Sequence, residues 1–495
     1  HNSDLRDQKF KSQSLETTWS LNYQFNENHT IGARYNFERT PKDKAYINQF
    51  TQTYCNEQLY EGMHSMATTN EPETYHRSNF YYNGKIKEWS IDFNADGFWM
   101  NTQSKQVAQE DITDGMSDSE DRNVTTKSTN SNELYASKLV ISYPFGKGDL
   151  SFGAEYSHIK RNTTYLNVEG IIDNDLSMIK EGATSAFVEY SREFHNWNLQ
   201  AGLRYEHVGF DYYNNGKYIA KQSKIYNHIF PSITFGFPIK DVQLQIGYAS
   251  DIVRPGYWQL SSNTTYANRY LYDKGNPFLM PSITHNVTLG ASYEWMNLYV
   301  GYSHVKDAIT TQTIAYSEDD PTIAMMTVLN VPEYDKLVAS INFSPSIGCW
   351  TPQLGLSLQK QWYEGETPQG KEKFNKPVGG ITFRNNFKLP KGFLLDINGS
   401  WMTKGYLENI YLDDNPIDLS ASLSKSFLKD NLTLQLRADD ILEPKQVATF
   451  YSGLRVMQDT YYFHRQITFT LRYKFNSTRS KYKGTGAGEG QKSRM

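Results

Sequence analysis

The chain has 495 residues, a formal net charge of -4, 38% hydrophobic residues and a mean hydropathy of -0.65. It contains no apolar run of about 18 residues that could span a bilayer as a helix, and no basic stripe of the kind that binds nucleic acid. Its two cysteines, Cys55 and Cys349, are too few for a disulfide-rich scaffold or a cysteine-based zinc site. These properties exclude a helical membrane protein, a nucleic-acid partner and a disulfide-stabilised fold.

Segments of alternating apolar and polar residues recur from one end of the chain to the other. Because successive side chains of a strand point to opposite faces, this pattern predicts strands with one face in lipid and the other in water. We expect an all-β fold, a transmembrane antiparallel β-barrel. The low mean hydropathy is consistent with a barrel, since only alternate residues of each strand touch lipid. The 36 Tyr and 9 Trp are consistent with aromatic girdles at the two membrane boundaries. The residues predicted to face lipid are Leu203, Leu244, Leu356, Ile397, Leu434 and Phe469, and those predicted to face the lumen are Arg204, Gln245, Ser357, Asn398, Gln435 and Thr470.

Short polar turns alternate with longer connections along the whole chain, and counting between them predicts about nineteen strands. The short turns lie near residues 26–28, 83–84, 145–149, 195–196, 238–241, 295–297, 345–348, 389–392 and 428–431. The long connections lie near residues 41–73, 101–125, 166–180, 214–222, 257–280, 312–323, 363–373, 406–415 and 442–457.

An odd number of strands indicates that this chain does not close a barrel by itself. In bacterial outer-membrane barrels the strand number is even, both chain ends are periplasmic and the short turns face the periplasm. We therefore expect residues 1–476 to be an N-terminally incomplete barrel, which about three further strands would complete to roughly 22, the size class that has a plugged lumen. The strands near 12–25 and 466–475 would form its two unpaired edges. Residues 477–495 are predicted to be a flexible periplasmic tail.

The cysteines provide a check on this topology. Cys55 lies in the first long connection, and Cys349 lies in a short turn. The two residues should be on opposite sides of a hydrocarbon layer of about 30 Å, whereas a disulfide needs Cα atoms within about 7 Å. We expect that they are not bonded to each other.

Three separated motifs resemble one family. The chain reads Tyr248-Ala-Ser-Asp-Ile-Val-Arg-Pro-Gly-Tyr257, then Gly275-Asn-Pro-Phe-Leu-Met-Pro281, and near its end Lys481-Tyr-Lys-Gly-Thr-Gly-Ala-Gly488. These motifs resemble those of TonB-dependent outer-membrane receptors of the Bacteroidetes, in the outer-membrane β-barrel family. The resemblance covers most of the chain downstream of about Lys180, where 199–207, 230–235 and 423–429 also fit.

The resemblance implies a location in the bacterial outer membrane, with the long loops extracellular and the C-terminus periplasmic. It also implies outer-membrane lipids, an N-terminal plug with the first strands, and the TonB complex as partners, and it makes surface lipoproteins further candidate partners. The function implied is ligand binding at the extracellular loops and import through a plugged lumen. Two alternatives stay open: a structural or scaffolding barrel of a surface complex without transport, and an unplugged porin.

The longest central loop holds the candidate site. Its family-motif residues are Arg254, Pro255, Gly275, Asn276 and Pro277. On the simplest interpretation they only end strands and shape the loop, because proline removes a ladder donor and Gly-Asn-Pro favours a turn. The functional interpretation is that side chains between them meet a ligand at the barrel mouth, where rigid rings give contact area at low entropy cost. The candidate ligand-binding residues are Tyr257, Trp258, Tyr266, Arg269, Tyr270 and Tyr272.

The sequence indicates no catalytic residues, cofactor or metal site. The acidic segment Glu110–Asp121 could supply oxygen ligands to Ca²⁺, but its spacing does not match an EF-hand loop, and a solvated acidic loop is the better interpretation. No zincin, P-loop or nucleophile-elbow signature is present. An enzyme is therefore not expected.

Overall fold

The computed structural model describes residues 2–318, 322–453, 455–475 and 482–495, with side chains from residue 7 onward. The chain is almost entirely β-structure. Its strands, in chain order, are β1 (Asn2–Asn26), β2 (His29–Cys55), β3 (Gln58–Asn70), β4 (Glu73–Ile86), β5 (Trp89–Gly115), β6 (Arg122–Phe145), β7 (Gly148–Asn167), β8 (Asp175–Phe194), β9 (Trp197–Asn214), β10 (Lys217–Tyr218), β11 (Lys224–Ile239), β12 (Val242–Val253), β13 (Thr264–Asn268), β14 (Leu271–Lys274), β15 (Ser282–Tyr293), β16 (Met296–Lys306), β17 (Ala308–Ala315), β18 (Ala324–Val331), β19 (Tyr334–Phe343), β20 (Trp350–Trp362), β21 (Glu364–Thr367), β22 (Gly370–Lys373), β23 (Val378–Leu389), β24 (Phe393–Met402), β25 (Gly405–Leu407), β26 (Ile410–Leu412), β27 (Ile417–Phe427), β28 (Leu432–Asp439), β29 (Lys445–Ser452), β30 (Arg455–Tyr462) and β31 (Gln466–Tyr473). A 3-10 turn covers Pro390–Gly392, and one helical turn, α1, covers Glu489–Lys492.

One antiparallel sheet of 21 strands forms the body of the molecule. β3 continues into β4, because both pair with β2 on one side and with β5 on the other. β10 is likewise the tip of the hairpin that β9 and β11 form. Counting each of these two continuations once reduces the 21 strands to nineteen passes. The predicted all-β antiparallel architecture and strand number are confirmed.

The strand registers separate the side chains onto two continuous faces. Leu244 lies opposite Ala291, Leu356 opposite Ile341, and Leu434 opposite Leu471, so apolar side chains form continuous rows across neighbouring strands. We name this side the outer face. The six residues predicted to face lipid lie on it, and their six sequence neighbours lie on the opposite, inner face.

The two ends of the sheet differ. The turn end carries the short turns, and exposed aromatic rings surround it, as expected of a membrane boundary; they include Trp89, Phe145, Phe194, Trp197 and Trp295. The hairpin end carries the long connections. Cys55 ends β2 at the hairpin end and Cys349 lies in a turn at the turn end, and both are free cysteines. The prediction that they are not bonded is confirmed.

Much of what the sequence predicts as long loops is instead strand. β2 has 27 residues and β5 has 27, whereas a strand crossing the hydrocarbon layer needs about 9–11. Beyond the membrane both faces meet water, so the alternation disappears although the backbone hydrogen bonds continue. Three smaller sheets add to the hairpin end: β13-β14-β18-β17, β21-β22 and β25-β26-β29-β30.

The sheet has two edges. β1 pairs with β2, β31 pairs with β28, and among the described strands neither edge has a second partner. Trp19 and Phe469, which lie on these edges, are 59% and 66% exposed. The structure thus agrees with the prediction that the first and last strands do not pair with each other.

The C-terminal residues differ from the predicted flexible tail. Residues 477–481 lie outside the described residues, but the segment Tyr482–Met495 packs against the inner face. Ala487 is buried in the largest apolar cluster, together with Phe98, Leu134 and Ala136. A glycine-rich composition suggested disorder, whereas here the glycines let the backbone approach the strands closely. Within the described ranges, no helix is long and apolar enough to cross a membrane.

Candidate functional site

The loop that carries the predicted site, residues 254–281, folds back onto the inner face. It leaves β12 at Val253 and returns to the sheet at Ser282, the start of β15. Between these points it forms the β13-β14 hairpin and contacts β3, β5, β7, β8 and β9. We name it the inward loop. Its anchors are carboxylates that project from the sheet.

The first anchor lies where the inward loop begins. Arg254 forms an ion pair with Glu206 of β9. The hydroxyl of Tyr257 donates to Oε1 of Glu181, on β8, over 3.1 Å, and the Tyr257 side chain is fully buried. Burial raises the pKa of Tyr257 well above its usual value, so this hydroxyl stays a neutral donor. Burial also lowers the pKa of Arg254 to about 10, which leaves the guanidinium protonated at neutral pH.

The second anchor is a buried charge cluster at the β13-β14 turn. Arg269 Nε lies 3.1 Å from Oε2 of Glu110, and its NH1 lies 3.6 Å from Oε2 of Glu61. Both carboxylate side chains are fully buried, and that of Arg269 is 6% exposed. The hydroxyls of Tyr266 and Tyr270 donate to Glu110 over 2.9 Å and to Glu61 over 2.6 Å. Each buried charge thus has charged and neutral partners.

This cluster corrects the interpretation of residues 110–121 as a solvated acidic loop. Asp111, Asp114 and Asp121 are exposed, as expected, but Glu110 has no exposed surface. Spacing along the chain could not show this, because the partner cation, Arg269, is far away in sequence and reaches Glu110 only through the inward fold of the loop.

The family-motif residues Gly275, Asn276 and Pro277 shape the return of the loop. A Cβ on Gly275 would collide with the carbonyl oxygen of Ser261 and would lie 2.8 Å from those of Trp258 and Gln259, so only glycine fits there. The Asn276 side chain donates to the carbonyl of Val328 over 3.0 Å, and its oxygen accepts from the amide of Phe278 over 3.0 Å. Pro277 and Pro255 are buried. These contacts agree with the simplest interpretation of the motif, that it shapes the loop.

The six candidate ligand-binding residues lie in one loop but do not share one surface. Tyr257, Tyr266, Arg269 and Tyr272 are buried, and Tyr272 packs against Tyr266 with ring centroids 5.5 Å apart. Tyr270 is half-buried against Glu61. Trp258, in contrast, is 61% exposed. In this structure Trp258 alone of the six presents a largely free ring.

A second site, which the sequence did not indicate, lies at the hairpin end. A cavity of about 640 Å³ opens between the β17-β18 and β21-β22 hairpins and the loop strands near Asn409 and Tyr451. Aromatic rings, carboxylates, lysines and amides line it, namely Trp362, Tyr363, Phe374, Tyr451, Glu333, Glu364, Glu366, Lys371, Lys373, Gln312, Asn330, Asn375 and Asn409. Behind it, Phe374 is fully buried and stacks on Tyr406 at 4.8 Å. Four separate hairpins contribute these residues, so no local motif could have identified them.

The solved structures that this chain is similar to include two receptors and an outer membrane transporter. The ferric yersiniabactin uptake receptor FyuA from Yersinia pestis matches with a TM-score of 0.57 at 10% identity, covering 96% of this chain and 80% of that chain. The siderophore receptor PiuA from Acinetobacter baumannii matches with a TM-score of 0.56 at 11% identity, covering 96% and 81%. The outer membrane transporter YddB from Escherichia coli matches with a TM-score of 0.54 at 11% identity, covering 94% and 76%. At these identities the likeness is one of fold.

The sequence comparisons identify the family. No curated protein sequence matches the chain significantly. The model of the outer membrane protein beta-barrel family matches residues 79–473, well over half of the chain. The chain therefore belongs to the outer membrane protein beta-barrel family and is an outer-membrane protein.

Proposed function

We propose that this chain is the barrel part of a TonB-dependent receptor of the Bacteroidetes, which binds a ligand at the hairpin end and imports it through a plugged lumen. The hairpin end would face out of the cell and the turn end the periplasm, because short turns are periplasmic in outer-membrane barrels. The motifs at 248–257, 275–281 and 481–488 support the family part of the proposal. The folds of FyuA, PiuA and YddB support the transport part.

The observation that carries the proposal is the filling of the inner face. A barrel of about 22 strands has a backbone diameter of roughly 40 Å, and such a bore would leak if it were open. Here the inward loop crosses the inner face and is held by Glu61, Glu110, Glu181 and Glu206. A lumen that is crossed by an anchored loop is consistent with gated passage of a ligand. It argues against the alternative of an unplugged porin. About three upstream strands and a plug would complete the closure.

Ligand contact is assigned to the hairpin end. Trp258 offers a free aromatic ring at the inward loop, and the cavity lined by Tyr451 and Trp362 offers rings together with carboxylates and lysines. The other five candidate residues would hold the inward loop in place and would contact a ligand only if that loop moved. They are Tyr257, Tyr266, Arg269, Tyr270 and Tyr272.

Two measurements on the full-length protein test this function. In planar bilayers it should show no steady conductance at rest, and a large steady conductance would support the porin. On whole cells, saturable binding is expected for one member of a panel of radiolabelled oligosaccharides, peptides and ferric chelates, and no saturable binding to any panel member would support the scaffold.

A matched pair of tryptophan variants tests the assignment of the contact. Trp258→Ala should weaken binding of the identified panel member by roughly 2 kcal/mol, because buried aromatic contacts dominate interface energies. Trp295→Ala, an exposed tryptophan at the turn end, should leave binding unchanged. Equal effects of both variants would contradict the assignment.

A further inference from the structure

The C-terminal segment Tyr482–Met495 occupies a built site on the inner face of the sheet. Four consecutive backbone N–H groups donate to side chains of the wall: Thr485 and Gly486 to Asn94 over 3.0 and 3.1 Å, Ala487 to Asp96 over 3.1 Å, and Gly488 to Glu155 over 2.7 Å. Gly486 and Gly488 have φ of 81° and 69°, values that favour glycine. Alternating left-handed residues turn successive N–H groups toward one side and make an anion-binding concavity.

Two cationic side chains of the segment also pair with carboxylates of the inner face. Lys492 Nζ lies 2.6 Å from Oδ2 of Asp96. Arg494 donates in bidentate fashion to Glu181, with NH1 2.6 Å from Oε1 and NH2 3.0 Å from Oε2. The side chains of Glu181 and Arg494 are 2% and 9% exposed. Bidentate arginine–carboxylate pairs combine strength with a fixed geometry. Asn94, Asp96, Glu155 and Glu181 thus form a row on β5, β7 and β8 that matches a glycine-rich, cationic segment.

The far end of the segment holds the start of the inward loop. The carbonyl of Arg494 accepts from the amide of Tyr257 over 3.0 Å, and its Nε donates to the carbonyl of Pro255 over 2.9 Å. The Arg494 guanidinium also lies 4.2 Å from the centre of the Tyr257 ring. Glu181 accepts from Arg494 and from the Tyr257 hydroxyl together. One buried carboxylate thus joins the wall, the C-terminus and the inward loop.

The near end of the segment lies toward the turn end of the sheet. The Tyr482 hydroxyl contacts Asn79 of β4, the Arg34 guanidinium of β2 lies 3.7 Å from the centre of its ring, and Tyr81 meets it edge-on at 5.0 Å. The segment therefore extends along the inner face from the region near the turn end to the first residues of the inward loop.

We infer that the row Asn94, Asp96, Glu155 and Glu181 is a binding site for the chain's own C-terminal segment, and that the bound segment is a strap that keeps the inward loop folded. Removal of the strap takes away the partners of the Tyr257 amide and the Pro255 carbonyl and leaves Glu181 without its cation. The first turn of the inward loop is then released. The strap connects to the proposed function only through this loop, and it can be tested without any ligand.

Cysteine accessibility in the full-length protein tests the strap. Cys55 and Cys349 are replaced by serine, and Ser261→Cys places a thiol at a buried position of the inward loop. Arg494→Ala should speed maleimide labelling of that thiol roughly tenfold or more, since a buried charge-assisted pair is lost. Lys483→Ala, which removes an exposed cation of the same segment, should leave the rate unchanged.

Two further samples keep the test informative if Arg494→Ala fails to fold. The exchange Glu181→Arg with Arg494→Glu should restore slow labelling. In a protein that lacks residues 482–495, a synthetic peptide of that sequence should restore it, whereas the same peptide with alanine at 494 should not. Equal labelling rates in all folded samples would overturn the strap, and failure of ligand uptake alone would bear only on the proposed function.

Discussion

Arg269 illustrates how burial determines the role of a charged residue. Its guanidinium lies between Glu61 and Glu110, and all three side chains are almost completely removed from solvent. A buried charge without a partner is strongly unfavourable, so each member of the cluster depends on the others. The β13-β14 hairpin is therefore held in place by this cluster as well as by apolar packing.

Replacing Arg269 tests that dependence. Arg269→Ala should lower the free energy of local opening of the β13-β14 hairpin by about 3 to 5 kcal/mol, because two carboxylates stay buried without their cation. Hydrogen exchange of the hairpin amides measures this quantity. In the control Arg437→Ala, a half-exposed pair with Asp439 is lost, and the change should stay below about 1 kcal/mol. Similar values for the two variants would argue against a buried anchor.

Gly275 tests the close approach of the loop backbone. Gly275→Ala should lower the midpoint of thermal unfolding of the inward loop, because its Cβ would crowd three carbonyl oxygens and such overpacking costs about 1 to 3 kcal/mol. Gly209→Ala is the matched control, since a Cβ there meets no atom within 4 Å. If both variants unfold at the wild-type temperature, the role given to Gly275 is wrong.

The residues of the site were predictable as a group but not in their individual roles. The sequence indicated that the loop between Arg254 and Pro277 is a candidate site, and in the structure the aromatic rings of this loop lie at the inner face. The sequence could not indicate which of these rings are buried, because their partners Glu61, Glu110 and Glu181 come close to them only after folding. The glycine-rich composition near the C-terminus indicated flexibility, whereas the backbone N–H groups of Ala487 and Gly488 donate hydrogen bonds to carboxylates more than 300 residues away in sequence.

At the scale of the strand, alternation determines which substitutions the sheet tolerates. Leu356→Arg, on the outer face, should lower the free energy of unfolding in a bilayer by about 2 to 4 kcal/mol near the midplane, and Ser357→Arg, on the inner face, by much less. Urea unfolding of the full-length protein in lipid vesicles compares these neighbours directly. Equal losses would contradict the assignment of the two faces.

The elements themselves were predictable where lipid imposes a pattern. The alternating rows around Leu203, Leu356 and Phe469 fixed the strands and their number, because a lipid-facing residue must be apolar. The extensions of β2 and β5 beyond the membrane were not predicted, since strands with water on both faces carry no alternation. The hairpin-end cavity was missed because its lining residues come from four separate hairpins and form no local motif.

At the scale of the molecule, the described sheet has two open edges, β1 and β31. Unsatisfied backbone groups cost several kcal/mol each in hydrocarbon, so we propose that β1 and β31 each pair with a further strand and not with each other. Disulfide formation distinguishes this arrangement from direct closure. In the double variant Trp19→Cys with Phe469→Cys, the two introduced thiols should not form a disulfide. In the control Leu436→Cys with Phe469→Cys, whose positions are opposite each other in register, a disulfide should form readily. A disulfide in the first variant would show that the chain closes on itself.

We propose that this barrel imports its ligand with energy from the TonB system. The direct measurement is uptake, by intact cells expressing the full-length protein, of the panel member that binds, with and without a protonophore that collapses the energy supply to TonB. We expect surface binding under both conditions and accumulation inside the cell only when the energy supply is intact. Accumulation at the same rate in the presence of the protonophore would contradict it.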